Sequence, residues 1–180
     1  MLKTKLLAVA AAAMALTCTS LPASADSLDE VRLGIFDHDS NLFATRHENN
    51  NPDINAEALF KSPSWLAWAW APRPHVGATV NTGSGTSLAY AGLTWDYNLT
   101  EALFIEGSFG GAIHNGELEG SHKDRRSYGC RFNFHENASI GYRFDARNSL
   151  MLTVEHMSNA SLCDANQGLT NIGLRYGYSF

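Results

Sequence analysis

From Ser64 to the C-terminus, apolar and polar residues alternate through most of the chain. That is the period of a β-strand, whose successive side chains point to opposite faces. Leu66, Trp68 and Trp70 share a face in the first such segment. After Pro72-Arg73-Pro74, Val76, Ala78 and Val80 oppose His75, Gly77, Thr79 and Asn81. A Gly83-Ser84-Gly85 turn leads to Ala89, Ala91, Leu93, Trp95 and Tyr97, and Asn98-Leu99-Thr100 turns the chain again. Leu103, Ile105, Gly107, Phe109, Gly111 and Ile113 follow, then a charged, loop-like stretch from Gly116 to Ser127. Next, Phe132, Phe134, Glu136, Ala138, Ile140, Tyr142 and Phe144 form one face, opposite Arg131, Asn133, His135, Asn137, Ser139, Gly141 and Arg143. Past Asp145-Ala146-Arg147-Asn148 come Leu150, Leu152, Val154, His156 and Ser158, and finally Ile172, Leu174, Tyr176, Tyr178 and Phe180. An early strand over Val31–Asp37 precedes a long polar loop reaching about Lys61.

The pattern predicts an all-β chain of eight antiparallel strands, one early and seven after it, with short and long connections alternating. Each later strand has roughly the ten residues that a tilted strand needs to cross a bilayer. Arg131, Arg143 and Arg175 occupy the polar face, where they suit the lumen of a transmembrane barrel better than the core of a soluble sandwich or lipocalin-like barrel. Aromatic residues near strand ends on the other face suit an interfacial girdle. The ending Tyr-x-Tyr-x-Phe resembles the assembly signal of bacterial outer-membrane barrels.

The N-terminus sharpens the location. Lys3 and Lys5, the apolar run Leu6–Leu16 and Ala23-Ser24-Ala25 form a secretory signal peptide over residues 1–25, leaving residues 26–180 as the barrel. Cys130 and Cys163 remain in the mature chain, and an oxidising compartment permits a disulfide, although two unpaired small residues fit equally well. The net charge of −5, without a basic stripe, gives no reason to expect a nucleic-acid partner.

On the barrel reading, the face with His156 and Ser158 meets lipid, where polar groups need work or partners. A base and a hydroxyl two residues apart have the chemistry of an activated nucleophile. Hairpin symmetry about the turn at Asp145–Asn148 places Glu136 opposite His156, completing a Ser-His-acid patch. The same estimate across the last loop places Thr170 near Ser158. This end of the strand borders a long loop, so the patch lies near the extracellular interface.

At these residues a family resemblance appears. HMSNASL, with Asn166-Gln167-Gly168-Leu169 after it, resembles the His-x-Ser-Asn motif of PagL, the lipid A 3-O-deacylases of Gram-negative outer membranes. Phe134-His135-Glu136 resembles the family's Phe-x-Asp segment, and RPHVGATVNTGSGTSLAYAGLTW is similar to related acyloxyacyl hydrolases. The resemblance implies a lipid A deacylase, a carboxylic ester hydrolase acting on lipopolysaccharide within the outer membrane. It needs no cofactor or metal and leaves room for a homodimer. Ser158 would be the nucleophile and His156 the general base, with Asn159 and Asn166 near the active site and Asn166 assigned to the oxyanion. One departure stands out: Thr170 occupies the position of the family's triad Glu. Either Thr170 orients His156, or Glu136 supplies the carboxylate, or the chain is an inactive barrel with an adhesion or structural role. A small pore is the weakest alternative, because side chains fill an eight-stranded interior.

Other candidates read more plainly. His38, His47 and Glu48, with Asp37 and Asp39, suggest a solvated loop rather than a metal site. His135 and Arg131 read as lumen filling, and Trp68 and Trp70 as lipid-facing anchors.

Overall fold

The computed structural model describes residues 27–40, 48, 51–120 and 124–180; the expected signal peptide and His47 lie outside them. The strands are β1 Leu28–Asp37, β2 Asp53–Phe60, β3 Arg73–Asn81, β4 Leu88–Asn98, β5 Leu103–His114, β6 Phe132–Arg143, β7 Asn148–Ser158 and β8 Leu169–Ser179. Every strand pairs antiparallel with its sequence neighbours, and β1 pairs with β8 to close an eight-stranded barrel. Closure removes both sheet edges, as a lipid environment requires. The tight turns at 99–102 and 144–147 lie at the same end as both termini, which is the periplasmic end of such a barrel. Local chemistry fixes these turns. Asp145 Oδ1 accepts the backbone N–H groups of Arg147 (2.8 Å) and Asn148 (2.9 Å), and Thr100 Oγ1 accepts that of Leu103 (2.9 Å). The connections from β1 to β2, β5 to β6 and β7 to β8 are longer and leave the barrel at the opposite, extracellular end.

The second strand departs from the sequence expectation. It lies at Asp53–Phe60, inside the supposed loop, while Ser64–Ala69 forms a 3-10 helix instead of a strand. Asp53, Asn55, Glu57 and Leu59 point inward, so polar residues that read as loop are lumen lining. Pro63 precedes the helix, Leu66 is its buried peg, and the Trp95 indole N–H donates to Ala69 O at 2.9 Å. This bond lays the segment along the outer wall, with Trp65, Trp68 and Trp70 exposed by 64%, 83% and 89%. These tryptophans thus sit on a short helical excursion and not on a strand. Arg131 also differs: it is exposed at the extracellular rim, where its Nη1 donates to His114 O and Gly116 O, both at 2.9 Å.

The lumen is packed with paired charge. Arg32 bridges Glu30 (2.8 Å), Glu57 (3.1 Å) and Glu106 (2.6 Å). Arg175 donates to Asn55 Oδ1 (2.9 Å) and the Tyr90 hydroxyl (3.1 Å), with Glu57 at 3.6 Å. Buried charges persist only when so compensated. The lipid-facing wall carries Leu33, Ile35, Val80, Ile105, Ile140, Leu152 and Leu174. A cavity of about 310 Å³ lies at the periplasmic mouth among Arg73, Asp96, Arg143 and Asp145, at the far end from His156.

Candidate active site on the outer wall

On β7, Ser149, Met151, Thr153, Glu155 and Met157 are buried in the lumen, and Leu150, Leu152, Val154, His156 and Ser158 face outward. The β6–β7 register pairs Glu136 with His156 and Phe134 with Ser158, as hairpin symmetry predicts. The β7–β8 register corrects the other estimate: Thr170 pairs with His156 rather than lying nearest Ser158. Thr170, His156, Glu136 and Phe109 therefore form one row across four adjacent strands.

Within this row, His156 Nδ1 and Thr170 Oγ1 are hydrogen-bonded at 2.8 Å. Thr170 is thus the residue of this row that bonds the imidazole. Among the described residues, no hydrogen bond joins His156 to Ser158 or to Glu136, and the buried Glu136 Oε2 has no partner. Gly168, at φ +63°, packs against the ring's other edge. A Cβ there would lie 3.1 Å from His156 Cε1 and 3.6 Å from Nε2. Glycine therefore meets two demands at once, a left-handed backbone and close approach to the ring.

The loop 159–168 is stitched in place beside Ser158. Asn159 N–H donates to Asn166 Oδ1 (2.9 Å), while Asn159 Nδ2 donates to Tyr128 O and Ala165 O, both at 2.6 Å. Asn159 thus spends both amide hydrogens on fastening the loop. Asn166 Nδ2 makes only a long contact to Ser161 Oγ, at 3.4 Å. Cys130 and Cys163 form a disulfide, with Cα atoms 5.9 Å apart, that ties this loop to the foot of β6.

Sequence reasoning missed Arg126, which is 3% exposed. Its Nε donates to Asp39 Oδ2 (2.8 Å), Nη2 meets Asp39 Oδ1 (2.5 Å), and Nη1 donates to Gln167 O (2.8 Å) and Gly168 O (3.0 Å). Its place in a run of charged loop residues gave no local signal, because the partners come from distant loops.

The first loop is likewise no solvated cluster. His38 Nδ1 meets Asp53 Oδ2 at 2.8 Å and Nε2 meets Glu48 Oε2 at 3.2 Å, with all three side chains buried. Burial opposes charging of His38, but hydrogen bonds and charge from Asp53 and Glu48 outweigh it and raise its pKa to about 9. Burial likewise opposes ionisation of Glu48, yet hydrogen bonds from His38, Arg126 N–H and Thr86 lower its pKa to about 2.

Comparison with known proteins agrees with the barrel fold. The crystal structure of the outer-membrane enzyme PagL superposes with a TM-score of 0.62 at 19% identity, covering 84% of this chain and 99% of that one. The N-terminal β-barrel domain of Pseudomonas aeruginosa OprF gives 0.56 at 10% identity, covering 86% of this chain and 98% of that one. A de novo designed transmembrane β-barrel gives 0.53 at 14%, covering 86% and 96%. At these identities the likeness speaks for the fold, an outer-membrane barrel. No curated protein matches. The family model "Lipid A 3-O-deacylase (PagL)" matches residues 60–179, which span β3 to β8 and the whole His156 row, and the chain belongs to that family of bacterial outer-membrane barrels.

Proposed function

We propose that the mature chain, residues 26–180, hydrolyses an ester-linked 3-hydroxyacyl chain of lipid A at the outer-leaflet face of the barrel. The observation that carries this reading is the His156–Thr170 bond on the lipid-facing wall, with Ser158 two residues further along the same face. In the lumen such groups would be ordinary packing; on the outer wall they have no architectural task.

The chemistry follows the Ser-His logic. If His156 donates its Nδ1–H to Thr170 Oγ1, Nε2 is left with a lone pair. Nε2 removes the proton from Ser158 Oγ as that oxygen bonds to the acyl carbonyl carbon. The carbonyl electrons move onto oxygen, and the Asn166 amide, loosely held, is the donor assigned to that oxyanion. As the tetrahedral species collapses, the C–O bond to the sugar breaks and the imidazolium returns its proton to the leaving sugar oxygen. Water then releases the acyl group by the same steps in reverse order. Glu136, paired with His156 across the strands, is a carboxylate on the same outward face. Ser158 and His156 need a rotamer adjustment on substrate binding, since catalytic bonds often form fully only in the complex.

A second reading has a specific observation behind it. Thr170 bears no charge where the family has its triad Glu, and loss of a triad acid can cost on the order of 10⁴ in kcat. A non-enzymatic barrel with an adhesion or structural role would tolerate that change. Mass spectrometry of lipid A after incubation with the refolded chain separates the two. Loss of one hydroxyacyl mass with the parent, but not with Ser158→Ala, supports the deacylase. Intact lipid A with both, when a heat-shifted gel band proves folding, supports the inactive barrel.

A further inference from the structure

Arg126 lies outside the group formed by Thr170, His156 and Ser158, and the ester chemistry assigns it no part. We propose that Arg126, locked by Asp39, is a positioning residue for His156 and acts through the backbone of Gln167 and Gly168. The inference rests on the deacylase reading above.

The geometry is a short relay. Arg126 Nη1 donates to the consecutive carbonyls of Gln167 and Gly168, which fixes the peptide planes on either side of the Gly168 Cα. A Cβ on that Cα would stand 3.1 Å from His156 Cε1 and 3.6 Å from Nε2, so this backbone runs close beside that edge of the ring. The Nδ1 edge is held only by the Thr170 hydroxyl. A hydroxyl rotates and can donate or accept, so it specifies the ring less firmly than a carboxylate would. With a neutral partner on one edge, the placement of the ring depends more on the wall at the other.

The clamp is anchored to the barrel and not merely to neighbouring loops. Asp39 N–H donates to Asn171 Oδ1 (2.9 Å), and Asn171 Nδ2 donates to Glu155 Oε2 (3.0 Å) in the lumen. Glu155 Oε1 in turn accepts from Thr79 (2.9 Å) and contacts His135 Nε2 (3.1 Å). Ser40 N–H donates to Thr170 O at 2.7 Å, so the same loop also fixes the residue that holds Nδ1. Ser127 and Gln167 exchange two further bonds, Ser127 N–H to Gln167 Oε1 (2.7 Å) and Gln167 N–H to Ser127 O (3.1 Å). Only the planar, multi-donor guanidinium can grip a carboxylate and two carbonyls together; an ammonium is a point charge.

The test uses the refolded mature chain as parent, Arg126→Ala, Arg126→Lys and Asp39→Asn. It reads kcat and KM on lipid A, together with the ring ¹⁵N signals of His156, assigned by their absence in His156→Gln. Misplacement of a catalytic group by about 1 Å can cost on the order of 10²-fold. Arg126→Ala should therefore lower kcat by roughly 10- to 100-fold with KM nearly unchanged. Arg126→Lys should recover part of the loss, and the ring signals should shift or broaden from the parent's single tautomer. Unchanged kcat and unchanged ring signals in folded Arg126→Ala overturn the proposal. So does a raised KM at full kcat, which would make Arg126 a substrate contact. If Arg126→Ala does not fold, the Lys and Asn variants carry the same comparison. If the parent itself cleaves nothing, the deacylase reading fails alone, and the ring spectra still decide whether Arg126 positions His156.

Discussion

His135 and His156 lie on adjacent strands at nearly the same height, on opposite sides of one sheet. His135 is fully buried, stacks on Tyr90 with ring centroids 4.0 Å apart, and meets Glu155. Its neighbours account for it: a polar lumen must be filled and its charges paired. His156 shares its outward face with Leu152, Val154 and Phe109 on the lipid side, where a leucine would serve the fold better. The same side chain is scaffold on one face and a functional candidate on the other. The distinction comes from what each imidazole is surrounded by, not from its residue type.

The widest separation between the two faces is expected from paired histidine variants. His156→Ala should lower kcat by on the order of 10⁴ or more while the urea unfolding midpoint stays put. His135→Ala should do the reverse, losing about 1–3 kcal/mol of stability by leaving Glu155 under-partnered, with most of the rate retained. Kinetics and urea titration on the same samples check both, and a collapse of activity in His135→Ala alone would undo the contrast. Next in size, Glu57→Ala leaves Arg32 and Arg175 short of a carboxylate and should cost about 3–5 kcal/mol in the same titration. Thr170 offers a smaller and sharper test. Thr170→Val should lower kcat about tenfold through loss of one hydrogen bond. Thr170→Glu, by restoring a charged partner, should raise kcat above the parent.

The smallest effect concerns pH and belongs to the loops. His38 is held at about 9 against an ordinary 6.5, so its stabilising contribution is complete below pH 6.5 and fades as pH rises through 9. Glu48 is held at about 2 against 4.5, so its contribution is complete above pH 4.5 and fades as pH falls through 2. Exchange of the Glu48 and Thr86 amides should therefore be slowest between pH 4.5 and 6.5, after correction for intrinsic rates.

The β6–β7 hairpin was legible because a tight turn fixes register by symmetry, and from register came the outward placement of Glu136, His156 and Ser158. The last hairpin resisted the same method. Its loop is long and winds through left-handed residues at Ala160, Ser161 and Gly168, so no tight turn marks its centre, and Thr170 lands beside His156. β2 was hidden for another reason. Asp53, Asn55 and Glu57 look like loop residues until Arg32, Arg175 and His38 arrive from other strands and loops to satisfy them. Long-range pairing of this kind leaves no local pattern. The disulfide lay between these cases: the sequence allowed it, and the approach of the two extracellular loops brings Cys130 and Cys163 together.

The chain's four tryptophans are Trp65, Trp68, Trp70 and Trp95, and the 3-10 excursion gathers them all at the periplasmic end. Intrinsic fluorescence is therefore a one-ended gauge. During refolding into vesicles, its blue shift and its quenching by lipid-borne bromine time the seating of that rim among headgroups. The opposite rim, where Ser158 lies, stays optically silent, so watching substrate arrive there calls for a dye or a fluorinated label.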